Sequence, residues 1–169
     1  LAPVGTNYNF RVNGGSVQNG ALSTFTTTSL TNGQTVDVIV TSAAGCSGTS
    51  VAITMTVNGN PVAGLTSSDG DNIICAGTGV TFTGSGGSSY EFFVDGTSVQ
   101  SGLSSTYVTS VLSGGQTVTV KVSNAAGCST TSAGITTVVN ANPVASLVSN
   151  DSDNIICAGT SVTFTGAPV

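Results

Sequence analysis

Apolar and polar residues alternate along short runs of this chain, which is typical of strands with one buried face. The clearest run, 116–122, places three valines on one face: Val118, Val120 and Val122. A second run, 90–94, does the same with larger residues: Tyr90, Phe92 and Val94. No stretch has the apolar spacing of a helix, so the pattern predicts strands throughout.

Further short runs of β-branched residues are separated by turn residues such as Gly, Ser, Asn and Asp. The predicted strands cover residues 62–66, 79–84, 90–94, 97–100, 105–112, 116–122 and 135–139. Frequent turn signals between short strands are typical of an immunoglobulin-like β-sandwich. The predicted fold class is therefore all-β.

A long internal repeat organises the chain. Residues 71–78 recur unchanged at 153–160, an offset of 82 residues (153 − 71). A fixed period of this length indicates a tandem array. The sequence predicts tandem immunoglobulin-like β-sandwiches, of which only 60–141 is complete. Residues 1–59 lack the first two strands of a repeat, and residues 142–169 supply the first strands of a further one.

Composition excludes several functions. Two basic residues against seven acidic ones give a formal charge of −5, whereas binding to nucleic acid or to an anionic membrane surface needs clustered Lys and Arg. No apolar run is long enough to insert into a membrane. The lack of His excludes Ser-His-Asp and Cys-His catalysis. Glu91 and Asp95 become Asn9 and Asn13 in the first copy, so we predict that the chain is not an enzyme.

Four cysteines, two in each repeat, favour a disulfide framework and an extracellular compartment. Zinc sites need closer cysteine pairs than the shortest spacing here, 29 residues (75 − 46). Because Cys75 precedes one predicted strand and Cys128 follows another, we predict a bridge between them within the complete repeat. Closing that 53-residue loop (128 − 75) contributes about 4 kcal/mol in the chain-entropy model. Cys46 and Cys157 are expected to pair with a neighbouring repeat or chain.

The acidic residues that keep the period lie in one loop of each copy, as Asp69 with Asp151 and Asp71 with Asp153. Carboxylate and carbonyl oxygens at alternate positions are ligands that Ca²⁺ prefers, so one hypothesis is a calcium site at the repeat junction. The alternative is an Asx-turn that joins two strands. The motif lacks the downstream Glu of an EF-hand loop, and both interpretations are open at this point.

Five short motifs recur along the repeats. They are Asn-Pro-Val at 60–62, Ile-Cys-Ala-Gly at 74–77, Tyr-x-Phe-x-Val at 90–94, Leu-x-x-Gly-x-x-Val-x-Val at 112–120 and Gly-Cys-Ser at 127–129. Together they resemble the tandem immunoglobulin-like repeats of very large Bacteroidota surface proteins, including gliding-motility-type adhesins exported by the type IX pathway. The resemblance covers the whole chain. It implies an extracellular stalk or filament at the cell surface, for attachment or gliding, and brings no catalytic residues.

The two incomplete copies are complementary in sequence. Residues 142–169 carry the strands that 1–59 lack, so the tail of one chain could complete the head of the next, with a Cys157–Cys46 bridge across the join. Alternatively, the sequence is part of a longer polypeptide in which successive repeats do the same, which is favoured because Leu1 is not an initiator Met. Both hypotheses predict a head-to-tail fibre. The alternative function is a module that binds a glycan or a protein, although the Gly/Ser-rich loops favour a scaffold.

Overall fold

The computed structural model describes residues 7–168, and every regular element in this range is a β-strand. Residues 1–6 of the first predicted repeat and Val169 of the last lie outside the described residues. The chain divides into two compact units, Leu1–Gly59 and Asn60–Val169. Within the described part of the chain, no helix is long and apolar enough to cross a membrane.

The first unit is a single antiparallel sheet. Its strands are β1 (Asn7–Val12), β2 (Gly15–Gly20), β3 (Thr35–Thr41), β4 (Ser47–Thr49) and β5 (Ile53–Thr54). The order is β2-β1-β3-β4, and β5 also pairs with β3. A register shift between Phe10 and Arg11 interrupts the β1–β2 pairing.

The second unit contains the complete repeat and the strands that follow it. The strands are β6 (Gly64–Ser67), β7 (Ile73–Cys75), β8 (Val80–Ser85), β9 (Ser89–Val94), β10 (Thr97–Gly102), β11 (Thr106–Thr109), β12 (Thr117–Ser123), β13 (Ser129–Thr131), β14 (Ile135–Thr136), β15 (Val138–Asn140), β16 (Ala145–Ser149) and β17 (Phe164–Pro168). One sheet of the complete repeat has the order β10-β9-β12-β13, with β14 also on β12, and the other has the order β11-β8-β6. The all-β sandwich that the sequence predicts is therefore confirmed.

The core of the complete repeat lies between these two sheets. Its buried apolar residues are Ile74, Val80, Phe82, Phe92, Val94, Leu112, Val118, Val120 and Val122. The alternation in β12 holds, because its three valines are fully buried while Lys121 between them is exposed. Gly84 in β8 lets the two sheets pack closely, since a Cβ there would lie 3.0 Å from the ring of Tyr90 and 3.2 Å from Val120.

Two short strands of the complete repeat were not predicted from the sequence. One is β13, and the other is β7, which forms part of the recurring stretch 71–78 and pairs in parallel with β15. This pairing closes one edge of the sandwich by joining the beginning of the repeat to its end. It also buries Ile74, whereas Ile73 remains 51 % exposed.

The incomplete copies lose the strands whose partners are missing. Residues 24–27 correspond to β11 (106 − 82 and 109 − 82), yet they form no strand. In the complete repeat β11 pairs with β8, and the described part of the first unit has no counterpart of β8. Residues 155–157 correspond to β7 and form no strand either, because the counterpart of β15 would come later in the chain than Val169. A strand needs a neighbour to accept and donate its backbone hydrogen bonds.

An ion pair on the first sheet has no counterpart in the complete repeat. Arg11 and Asp37 face each other on β1 and β3, and the guanidinium donates two hydrogen bonds of 2.7 Å to the carboxylate. The bond from Arg11 lowers the pKa of Asp37 against a smaller opposing effect of desolvation. The equivalent partners on β9 and β12 are Phe93 and Thr119, so both members of the pair change together.

The matched phenylalanines Phe82 and Phe164 provide a test of this architecture. Phe82 is fully buried, and its counterpart Phe164 is 64 % exposed. We expect Phe82→Ala to lower the free energy of unfolding by about 3–5 kcal/mol because it leaves a cavity in the core. Phe164→Ala should change it by less than about 0.5 kcal/mol. Urea denaturation of dilute, reduced protein followed by circular dichroism measures both, and equal losses would contradict the assignment of the core.

Candidate functional site

The acidic loop before β7 is held by a shared backbone amide. The Ile73 N–H donates to Asp69 Oδ1 at 3.1 Å and to Asp71 Oδ1 at 3.0 Å. Asn72, between Asp71 and Ile73, has a φ of 58°, a left-handed conformation that Asn tolerates better than most residues. The bond from Ile73 back to Asp71 is that of an Asx-turn. The turn proposed as the alternative to a calcium site is therefore present.

The second copy of the loop has the same geometry. The Ile155 N–H donates to Asp151 Oδ1 at 3.2 Å and to Asp153 Oδ1 at 3.0 Å. Asn154 has a φ of 59°. The loop thus keeps its conformation although 155–157 have no strand to pair with, which means that local hydrogen bonds define it.

These hydrogen bonds favour the charged form of the second aspartate in each loop. The pKa of Asp71 is lowered first by the bond from the Ile73 amide and then by a hydrogen bond with the Asp69 carboxyl group, while desolvation opposes both. The pKa of Asp153 is lowered by the equivalent bonds. Asp71 and Asp153 therefore stabilise their loops most when they are ionised.

Calcium at Asp69, Asp71, Asp151 and Asp153 stays a hypothesis. Each loop supplies two carboxylates, and one oxygen of each already accepts the same N–H. Among residues 7–168 no group of three or more His, Cys, Asp or Glu side chains is placed to hold a metal ion. The Asn72 Oδ1 is buried without a hydrogen-bond partner, but three side chains fall short of the six to eight oxygens that Ca²⁺ prefers.

The structure does not bring Cys75 and Cys128 together. Cys75 ends β7 at the end of the sandwich where β8 begins, and Cys128 follows β12 at the opposite end. The length of β12 alone separates them by roughly 20 Å at ~3.3 Å per residue, whereas a disulfide needs Cα atoms within about 7 Å. Among the described cysteines no disulfide is present. Because β8 and β12 run in the same direction, the two cysteines that the sequence predicts to be paired lie at opposite ends of the sandwich.

Cys46 and Cys157 lie in different units of the chain. Cys46 occupies a tight turn in which the Ser42 N–H donates to the Cys46 carbonyl at 2.8 Å. Cys157 begins a turn that the Thr160 N–H closes at 3.1 Å. Both are exposed, and their predicted pairing with a neighbouring repeat or chain stays a prediction.

The two incomplete copies expose the residues that form the core in the complete repeat. Phe164 is 64 % exposed and Leu147 is 70 % exposed, although their counterparts Phe82 and Leu65 pack in the core. In the first unit, no residue of 7–59 is fully buried. We call these two surfaces the open faces: the face of 145–167 that bears Phe164, and the face of the first sheet that bears the counterparts of the β12 valines.

A groove occurs at the same place in both units, and sequence reasoning missed it. In the complete repeat it has a volume of about 340 Å³ and is lined by Val94, Val99, Tyr107, Thr109, Leu112 and Gln116. In the first unit the equivalent residues, Val12, Val17, Phe25, Thr27, Leu30 and Gln34, line about 390 Å³. In the complete repeat it lies between β10 and β11, the edge strands of the two sheets, so its walls come from residues that are not adjacent in any one strand.

Comparison with known proteins adds little beyond the fold. The sequence matches no protein-family model, and no curated protein matches it. The fibronectin(III)-like modules of Clostridium thermocellum CbhA are 11 % identical with a TM-score of 0.46, over 82 % of this chain and 81 % of that one. Bacteroides ovatus SGBP-B, from a mixed-linkage glucan utilization locus and in complex with mixed-linkage heptasaccharide, is 16 % identical with a TM-score of 0.26, over 86 % of this chain and 39 % of that one. The fold assignment rests on the strand order, and neither match bears on function.

The lowered pKa of Asp71 predicts how stability varies with pH. Because the folded-state pKa lies below the unfolded value of about 3.9, the carboxylate stabilises the protein above that value and loses this effect as pH falls through the folded pKa. We expect Asp71→Asn to flatten the decline in urea midpoint on acidification, and Asp153→Asn to leave the complete repeat nearly unchanged. A wild-type slope in Asp71→Asn would contradict the proposed stabilisation.

The turn geometry also predicts the response to calcium. We expect millimolar Ca²⁺ to leave Tm unchanged relative to chelator-treated protein, because three side chains are too few to hold the ion. Calorimetry of the full chain measures this. A rise in Tm that Asp69→Asn abolishes would favour the calcium hypothesis instead.

Proposed function

We propose that this chain is a structural repeat segment of an extracellular, cell-surface stalk or filament, which acts in adhesion rather than catalysis. The observation that carries the proposal is the complementarity of the two open faces. The first unit lacks the strands that 142–168 supply. The complete repeat serves as the template, because it contains both sets of strands in contact. Repeats with such complementary faces are suited to a head-to-tail fibre.

The template defines which contacts the fibre would contain. In the complete repeat, Phe82 stacks on Tyr107 with ring centroids 6.4 Å apart. The equivalent contact would place Phe164 on Phe25, which already stacks on Phe10 at 5.7 Å in the first unit. The contact would therefore extend an aromatic pair that is present before the faces meet.

Burial and hydrogen bonding both favour this association. Covering Phe164 and Leu147 contributes roughly 1.5–3 kcal/mol for each side chain. Residues 24–27 would gain the neighbour that β11 has in β8, and so become a strand. Adding a strand to an unpaired edge is a common mode of protein recognition.

Location outside the cell is supported by the cysteine pattern and by the resemblance to Bacteroidota surface adhesins described above. Two cysteines at a fixed period are typical of oxidising compartments. The low charge and the Gly/Ser-rich loops suit a repetitive scaffold. A role in gliding is implied by the adhesin resemblance alone.

A fibre of repeats can be one polypeptide or an assembly of separate chains. The chain described by this sequence has a mass of 16.4 kDa. Reducing, denaturing electrophoresis of the native fibre would give a band of this size for an assembly, and a much larger band for a continuous polypeptide. The open faces meet in the same way in both cases.

A charge on one open face should prevent association. Phe164→Asp would place a carboxylate where the template has a fully buried ring, and an unpaired buried charge costs several kcal/mol. We expect the full chain to sediment as oligomers under reducing conditions and the variant as a monomer. The matched control is Leu103→Asp, because Leu103 is 82 % exposed and belongs to neither open face. Equal loss in both variants, or no oligomers in the unaltered chain, would contradict the proposal.

The repeated groove supports a second candidate function, a module that binds a glycan or protein. Its lining combines apolar side chains with Gln116 and Thr109, and few polar groups in an apolar lining are common in ligand sites. Binding on a glycan array that the double variant Val17→Asp/Val99→Asp abolishes would favour this candidate, because Val17 and Val99 line the two equivalent grooves. A scaffold would bind none of the glycans.

A further inference from the structure

The two cysteines of the complete repeat lie at opposite ends of one segment, 129–140. Cys128 immediately precedes β13, and Cys75 pairs with Asn140 at the end of β15. Both therefore lie along the same edge of the sandwich, one at each end. Their counterparts are Cys46 and Cys157 (128 − 82 and 75 + 82).

The chain leaves the repeat beside Cys75. The Ala76 N–H donates to the Asn140 carbonyl at 2.8 Å, and Asn142 Nδ2 donates to the Ala76 carbonyl at 2.9 Å. The next strand, β16, begins at Ala145, so the following repeat starts within a few residues of this contact. We call Cys75 and Cys157 the exit cysteines.

The chain enters the repeat at the end that holds Cys128. A Cβ on Gly86 would overlap the Val62 carbonyl oxygen, and a Cβ on Gly87 would lie 2.8 Å from the Ser123 carbonyl oxygen. Ser123 ends β12, and the turn that follows is closed by the Cys128 N–H, which donates to Asn124 Oδ1 at 3.0 Å. Cys128 and Cys46 are therefore the entrance cysteines.

We propose that disulfides join consecutive repeats, with the exit cysteine of one repeat bonded to the entrance cysteine of the next. The inference rests on the head-to-tail order of the proposed fibre. In a fibre whose repeats stack end to end with this edge aligned, the two cysteines meet at each junction. Pairing within a repeat would have to span the sandwich, which exceeds disulfide geometry.

For separate copies of this chain, pairing of exit with entrance cysteines gives two bridges at each join. The repeat formed by 142–168 of one copy and 1–59 of the next has Cys157 as its exit cysteine and Cys46 as its entrance cysteine. This shared repeat follows the complete repeat of the first copy, so Cys75 of the first copy bonds to Cys46 of the next copy. The shared repeat precedes the complete repeat of the next copy, so Cys157 of the first copy bonds to Cys128 of the next copy.

Each bridge is formed by thiol–disulfide exchange with an external disulfide such as oxidised glutathione. One cysteine thiolate attacks the glutathione disulfide and releases one glutathione thiolate. The second cysteine thiolate then attacks the mixed disulfide and releases the other. Two protein thiols lose two electrons and two protons, and one glutathione disulfide is reduced to two thiols.

Isotope mixing tests the pairing on the full chain. Equal amounts of ¹⁴N- and ¹⁵N-labelled protein are assembled under reducing conditions, checked by sedimentation, and oxidised with glutathione disulfide. Mass spectrometry of proteolytic fragments then identifies the linked cysteines. We expect bridges 75–46 and 157–128, about half of them with mixed isotopes because they join different copies.

Cysteine variants provide the matched controls. Cys75→Ser removes one bridge and should leave a ladder of linked chains on non-reducing gels, whereas the double variant Cys75→Ser/Cys157→Ser removes both exit cysteines and should leave monomers. Bridges 75–128 or 46–157, random pairing such as 75–75, or no bridge would overturn the inference. If the reduced protein assembles and the expected bridges are missing, the pairing fails and the fibre stands. A failure to assemble with no bridge formed overturns both.

Discussion

The contact between the two sheets through the ring of Tyr107 is the interaction on which the repeat depends. Tyr107 lies beside Phe82 on one sheet, and its centroid is 5.7 Å from that of Phe92 on the other. Buried valines of β12 fill the remaining space. Large aromatic side chains are few in this chain, so this cluster contributes much of the apolar area that such a small sandwich can bury.

The incomplete copies separate this cluster into its parts. Phe10 and Phe25 stay stacked in the first unit, although the backbone around Phe25 forms no strand. Phe164 carries the third ring on a hairpin of its own, β16 with β17. Side-chain contact and backbone pairing are therefore distinct requirements here. The ring stacking persists in a single sheet, whereas strand pairing needs a neighbouring strand.

Much of the fold follows from the alternation of apolar residues. The rest depends on which strands are neighbours and in which direction they run, and alternation specifies neither. Strands β9 and β12 are long enough for the period of two to be visible, so their inward residues could be identified. Strand β7 has three residues, and its partner β15 lies more than 60 residues later. The direction of β8 relative to β12 decides where Cys75 and Cys128 lie, and spacing alone does not provide it. The groove is equally hidden, because its walls belong to two sheets.

The parallel pairing of β7 with β15 has a mechanical consequence. The chain enters the repeat at one end of the sandwich and leaves at the other, so tension along the proposed fibre, while no bridge joins Cys75 to the next repeat, pulls β15 away along its own axis. The ladder from Val138 with Ile73 to Asn140 with Cys75 is then loaded in shear, and its hydrogen bonds must break together rather than one after another. Forced unfolding is governed by the rate of that step, so in a reduced fibre the pairing of β7 with β15 contributes to the force that the complete repeat withstands.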